Sequence, residues 1–172
     1  LVTLVQDAIF LYPEKFEDGS KDSLVLGINE EGEEVRMYGF ELNENDPING
    51  NELHFTNQKP YVIYGYAGVP AGKTLEMDPG VRVYFHSESG IVVQPEATLN
   101  INGTASPNID NPTENEVIFE GDRLEPQFSD VPGQWGTIWL RQGSVNNSIN
   151  HLTIKNSVVG LLVENCYLNI KN

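Results

Sequence analysis

Short alternations of apolar and polar residues, separated by Gly, Asn, Asp and Pro, run along almost the whole chain, while helical periodicity is nearly absent. A period of two puts every second side chain on one face, so the chain is expected to be all-β. From Tyr61 onward the alternations form a ladder. Apolar pairs recur in TLEM (Leu75, Met77), TLNI (Leu99, Ile101), EVIF (Val117, Phe119), TIWL (Ile138, Leu140) and GLLV (Leu161, Val163), their first members 24, 18, 21 and 23 residues apart. A β-sandwich places turns at intervals of roughly 8–12 residues but has no reason to echo a strand at twice that distance. A solenoid does, because each coil brings equivalent strands back above the last. VRVYF (81–85), GIVV (90–93), HLTI (151–154) and YLNI (167–170) fit between the rungs. Two or three short strands per coil predict a parallel β-helix over 61–172, with Leu75, Leu99, Val117, Ile138 and Leu161 in one interior column. A leucine-rich repeat is the rival, but its L-x-x-L-x-L-x-x-N core is missing.

The stretch NNSINHLTIKNSVVGLLVEN is the most regular, with Asn156, Gly160 and Asn165 at its expected bends. Asn tolerates left-handed backbone geometry and hydrogen-bonds neighbouring chain segments, which suits it to such corners. Residues 13–60 read differently. They are polar and acidic, with strand candidates only around Leu24–Ile28, Val35–Phe40 and Glu52–Phe55, and are expected to form a connector with small hairpins. The chain opens and closes inside strand-like alternations, so both ends are expected to be cut from a longer protein.

Composition narrows the partners. With 39% hydrophobic residues among 172, the chain can bury a core, and its formal charge of -15 argues against nucleic acid and anionic membrane surfaces as direct partners. The charge is uneven: residues 1–60 hold 13 acids and 4 bases, residues 61–172 hold 12 and 6. Cys166 is alone, which excludes an intrachain disulfide. No apolar run approaches the ~20 residues of a membrane helix, and no signal-peptide pattern is present.

QKPYVIYGYAGVPAGKTLEMDPGVRVYFH, followed by GTA, VIFEGDRLEP, SDVPGQWGTIWL and NNSINHLTIKN, resembles the right-handed parallel β-helix surface lipoproteins of the Bacteroidota. The resemblance spans the chain and is densest from Gln58 to Glu164. It implies a lipid anchor and a β-sandwich domain ahead of the helix, with residues 1–12 as the last strand of that sandwich. It also implies a cell-surface or outer-membrane location, with membrane contact only through an anchor outside this segment. Other outer-membrane or surface proteins are the partners it suggests. It brings no catalytic residues.

The chemistry is concentrated in GDRLEPQFSDVPGQWGTIWL, Gly121 to Leu140. Some parallel β-helices are polysaccharide lyases or hydrolases, which need clustered carboxylates and a cationic side chain on one face. Asp122, Arg123, Asp130 and Arg141 are candidates for such a face. The plainer reading is that Arg123 pairs with Asp122, Glu125 or Asp130 and fastens a side loop. Trp135 and Trp139 offer a sugar-stacking ledge, or else cover the loop against the wall of the coil. Trp139 is expected to point outward between inward Ile138 and Leu140. His54, His86 and His151 are scattered, and none is expected to join the cluster. NENDPINGNELHF has a Gly where a calcium loop needs one, but Pro47 stands at a ligand position, so it reads as a turn-rich loop. No catalytic residue, metal site or cofactor is assigned, since G-x-S-x-G, H-E-x-x-H, phosphate-loop and CxxC patterns are missing. Asp22-Ser23-Leu24 resembles the short O-glycosylation site of exported Bacteroidota proteins, with Ser23 as acceptor. These readings lead to a non-catalytic scaffold or binding subunit, an accessory of an outer-membrane assembly with glycans as a further ligand class. The alternative is a carbohydrate-active enzyme whose site lies on later coils.

Overall fold

The computed structural model describes residues 5–172, so the first four residues of the segment expected to end a sandwich lie outside the described residues. The described residues are all-β apart from one 3₁₀ turn at Pro126–Phe128. The strands are β1 (Ile9–Leu11), β2 (Ser23–Ile28), β3 (Glu34–Glu41), β4 (His54–Phe55), β5 (Tyr61–Ile63), β6 (Tyr66–Val69), β7 (Thr74–Met77) and β8 (Arg82–Phe85). They continue as β9 (Gly90–Val93), β10 (Thr98–Asn102), β11 (Val117–Gly121), β12 (Ile138–Leu140), β13 (Asn147–Asn150), β14 (Leu152–Ile154), β15 (Leu161–Val163) and β16 (Leu168–Lys171).

Three sheets collect them. The first runs β1-β5-β8-β11-β14, the second β4-β7-β10-β13-β16 and the third β2-β3-β6-β9-β12-β15. From β5 onward the chain visits the first, third and second sheets in turn and repeats that circuit to β16. Every pairing between these strands is parallel except the β2–β3 hairpin. Parallel partners cannot be joined by a tight turn, so each returns only after the chain has passed through the other two sheets.

Alternation along each strand sends one set of side chains inward, and register stacks them in columns. Ile9, Tyr61, Val83, Phe119 and Ile154 stack in the first sheet. Ala67, Ile91, Ile138 and Leu161 stack in the third, and Phe55, Met77, Ile101, Ile149 and Ile170 in the second. All of these side chains except the exposed Ile170 join one buried cluster or pack against it, and burial fades at both ends, at Ile9 and toward β14–β16.

The five positions expected in one column are divided instead. Leu75 and Leu99 pair in the second sheet, Val117 lies in the first, and Ile138 and Leu161 pair in the third. The reason is loop length. Residues 103–116 and 122–137 lengthen one circuit, so a repeat of about twenty residues slips from sheet to sheet.

Strands from the described residues before 61 belong to the same stack. Ile9–Leu11, expected to end a preceding sandwich, adds in parallel to Tyr61–Ile63. Within the expected connector, β3 pairs with β6 and β4 with β7. The anticipated hairpin is β2–β3, which crosses the outer face of the third sheet. Leu24 packs on Gly39 and Gly68; a Cβ at Gly68 would overlap it, and one at Gly39 would strike the Tyr66 carbonyl.

Candidate binding face

The loop from Asp122 to Thr137 is held from inside. Trp135 is 1% exposed, and its ring stacks on Phe85 at 4.2 Å and 12°. Its indole N–H donates to the Lys155 carbonyl at 2.7 Å, which satisfies the one polar atom of a buried tryptophan. The Trp135 ring is therefore interior wall and offers no stacking ledge. Asn156 closes the loop from the next circuit. Its Nδ2 donates to the carbonyls of Ser129 (2.9 Å) and Val131 (3.1 Å), and its Oδ1 accepts from the Gly121 N–H at 3.2 Å. Asn156 sits at φ 66°, the left-handed geometry expected of a corner Asn.

The remaining charged candidates of this stretch go to different partners. Arg123 reaches Glu125 at 3.4 Å, and its guanidinium lies 4.0 Å from the centroid of the Phe128 ring. Asp122 pairs with His86, Oδ2 to Nδ1 at 2.7 Å. A histidine does therefore join this region, against expectation, because register sets the residue after β8 beside the residue after β11.

Trp139 and Arg141 lie on the third sheet. Trp139 is half-buried between inward Ile138 and Leu140, in an outer row with Gly68, Val92 and Leu162. Arg141 donates to the Leu26 carbonyl and, at 2.6 Å, to Gln94 Oε1, while Gln94 Nε2 donates to the Val25 carbonyl at 3.1 Å. These bonds fasten the β2–β3 hairpin across the row and bury Val92 completely, although it points outward. Arg141 is a fastening here. Ser23 stands on β2, an edge strand, with its Oγ accepting from Arg36 Nη1 at 3.0 Å. In the turn-rich loop, Asp46 Oδ1 accepts the Ile48 and Asn49 N–H groups, and Glu52 accepts from Asn43 and Asn49.

The outer face of the first sheet presents what these residues do not. One outward row reads Phe10, Val62, Tyr84 and Glu120. One residue past each strand, the corner positions read Tyr12, Tyr64, His86 and Asp122. The ladder of backbone bonds continues through them: Tyr64 N–H to Leu11 O (2.9 Å), His86 N–H to Ile63 O (2.9 Å) and Asp122 N–H to Phe85 O (3.0 Å). The Tyr64 and His86 rings lie 4.7 Å apart. Tyr38, from the hairpin, adds a further ring beside Tyr12 and Tyr64. Adjacent rungs are about 4.8 Å apart, so the corner positions set rings beside one another and end in a carboxylate, while Val62 interrupts the outward row as a buried aliphatic.

Electrostatics follow that gradient. Burial first, and the nearby Asp122 carboxylate second, hold the Tyr64 phenol above its ordinary value. Burial and then Glu120 raise Tyr84 in the same way, with Arg82 opposing. These phenols stay neutral donors beside carboxylate acceptors, an arrangement suited to hydrogen-bonding a polar, uncharged or cationic ligand. Aligning IFLY, YVIY, VYFH and FEGD as equivalent segments would have exposed this face in the sequence.

No family model, curated protein or solved structure matches the chain. The likeness to Bacteroidota surface lipoproteins rests on the residues quoted for it.

Proposed function

We propose that the chain is a non-catalytic binding or scaffold module of a cell-surface protein, built as a right-handed parallel β-helix. The repeated circuit through three sheets in constant order supports the β-helix reading, and parallel crossover connections are right-handed in nearly all known cases. The observation that carries the functional reading is the outer face of the first sheet, where Tyr12, Tyr64, His86 and Asp122 stand in register beside Phe10, Tyr84 and Glu120. The loop that suggested a reaction centre has its Trp135 buried in packing and its backbone tied down by Asn156 of the next circuit, which favours binding over catalysis. The resemblance to Bacteroidota lipoproteins supports an outer-membrane location and an accessory role in a larger assembly.

The test is capture of partners from native membranes, run beside a glycan screen. Tyr84→Ser and Glu120→Lys should abolish what the unaltered protein captures, and Tyr167→Ser, at the far end of the stack, should not. Full capture by both face variants, with an unchanged glycan profile, would reject the face. The same reading makes Ser23 a glycan acceptor. Native protein should then carry a hexose-type mass that Ser23→Ala removes, and an unmodified native mass rejects the modification.

A further inference from the structure

At the β1 end of this face, Phe10, Tyr12, Tyr38 and Tyr64 line one depression of about 370 Å³ together with Pro13. The rings arrive from separate parts of the chain: Phe10 on β1, Tyr12 at its corner, Tyr38 on β3 and Tyr64 at the corner after β5. Phe10, Tyr12 and Tyr38 remain 42%, 55% and 42% exposed, so their ring surfaces are available. The close approach depends on Gly65, at φ +71°, where a Cβ would come within 3.0 Å of both the Tyr38 ring and Pro13. A larger residue there would push the rings apart.

Ring faces carry the negative part of the aromatic quadrupole, and several around one volume favour a cation. A primary ammonium is strongly hydrated and resists losing its water, whereas a methylated ammonium is bulky and weakly hydrated. The surroundings add negative potential. Asp122 lies close enough to act on the Tyr64 phenol, Glu14 follows Pro13, and residues 1–60 hold 13 acids against 4 bases. The Tyr38 ring already engages a cation, its centroid 5.0 Å from the Lys21 ammonium, which a bound quaternary ammonium has to displace.

We propose that the Phe10, Tyr12, Tyr38 and Tyr64 depression is an aromatic cage for a quaternary ammonium group of the choline type. It deepens the reading of the first sheet's outer face as a binding surface and rests on it. The group occurs on free small cations and on lipid headgroups, and the experiment separates these sources.

Choline is titrated into the whole chain by calorimetry and by NMR. Saturable binding is expected, and 3,3-dimethylbutanol, the same shape without the charge, should bind roughly tenfold more weakly. Tyr12→Leu and Tyr64→Leu keep apolar bulk but remove a ring face, and each should weaken choline about 3- to 30-fold. Tyr167→Leu should leave choline affinity unchanged. Cosedimentation with phosphatidylcholine vesicles, and not with phosphatidylglycerol vesicles, would make the lipid headgroup the source; choline binding without cosedimentation would make it the free cation. Absence of saturable choline binding overturns the cage. So does equal binding of the neutral analogue, or unaltered affinity in Tyr12→Leu protein that melts like the parent. If choline fails while Tyr84→Ser still abolishes partner capture, the cage falls and the binding face stands. If choline binds as expected while Tyr84→Ser captures normally, the wider face falls.

Discussion

Two loops lengthen the same circuit of the stack, and they have opposite fates. Residues 103–116, between β10 and β11, stay outside, with Ile109 93% exposed. Their side-chain bonds are largely local, as from Ser106 Oγ to the Asn111 carbonyl at 2.9 Å. Firm ties occur at the base, where the Arg82 guanidinium donates to the carbonyls of Thr113 and Glu116. Residues 122–137, between β11 and β12, are comparable in length and also rich in Pro and acids, yet they are part of the wall. Trp135 fills the interior beside Phe85, and Asn156 takes up carbonyls that the irregular backbone would otherwise leave unpaired. An insertion joins a core when it brings apolar area inward and when its backbone groups find partners.

That contrast can be broken by substitution. Trp135→Ala should cost the most, roughly 3 kcal/mol, because it removes a buried ring and leaves a cavity against Phe85. A thermal melt showing no loss would put the second loop in the same class as the first. Asn156→Ala should follow at about 1–3 kcal/mol, since several backbone groups lose a partner and Ala fits a positive φ poorly. Hydrogen exchange should then quicken at Gly121 before the rest of the stack. Arg123→Ala should cost about 1–2 kcal/mol, because its own side chain is 45% exposed while its partner Glu125 is only 9% exposed and loses a donor. High salt should remove only part of that difference, since the Glu125 carboxylate is shielded from solvent. Ile109→Ser should leave the melting curve within about 0.5 kcal/mol of the parent. A larger loss would mean that the outer loop is packed after all.

The all-β character and most strand positions were legible because alternation of period two is a local signal. TLEM and TLNI alternate cleanly, and each lies in a strand. The stacking of those strands was not legible in the same way, because the two loops shift the spacing and only backbone pairing reveals which columns form. β13 shows a second limit. Its sequence NSIN has one apolar residue, and its inward Asn147 continues the column of Leu75 and Leu99. That amide is buried but satisfied: Oδ1 accepts from the Leu99 N–H at 2.9 Å and Nδ2 donates to Ser144 Oγ at 3.0 Å. Hydrophobic patterning has no means to find it. The structural reading of Trp135 succeeded because so large an apolar surface is seldom left in water. The face of the first sheet was missed because its residues lie 22 to 52 positions apart, from Tyr12 through Tyr64 and His86 to Asp122, and meet only through register.

The hairpin strapped across the third sheet has a consequence for how the molecule comes apart. In a stack where each rung touches only its neighbours, the ends fray independently and stability is a sum of local terms. Here the β2 carbonyls of Val25 and Leu26 are gripped by Gln94 and Arg141, the latter 115 residues away in the chain. The earliest strands cannot peel off without releasing rungs two and three circuits later. This long-range tie couples regions that would otherwise melt separately, and it favours one cooperative transition over progressive unzipping. It also delays completion of the strap until the distant Arg141 has been brought into place, so the hairpin is expected to lock late in folding.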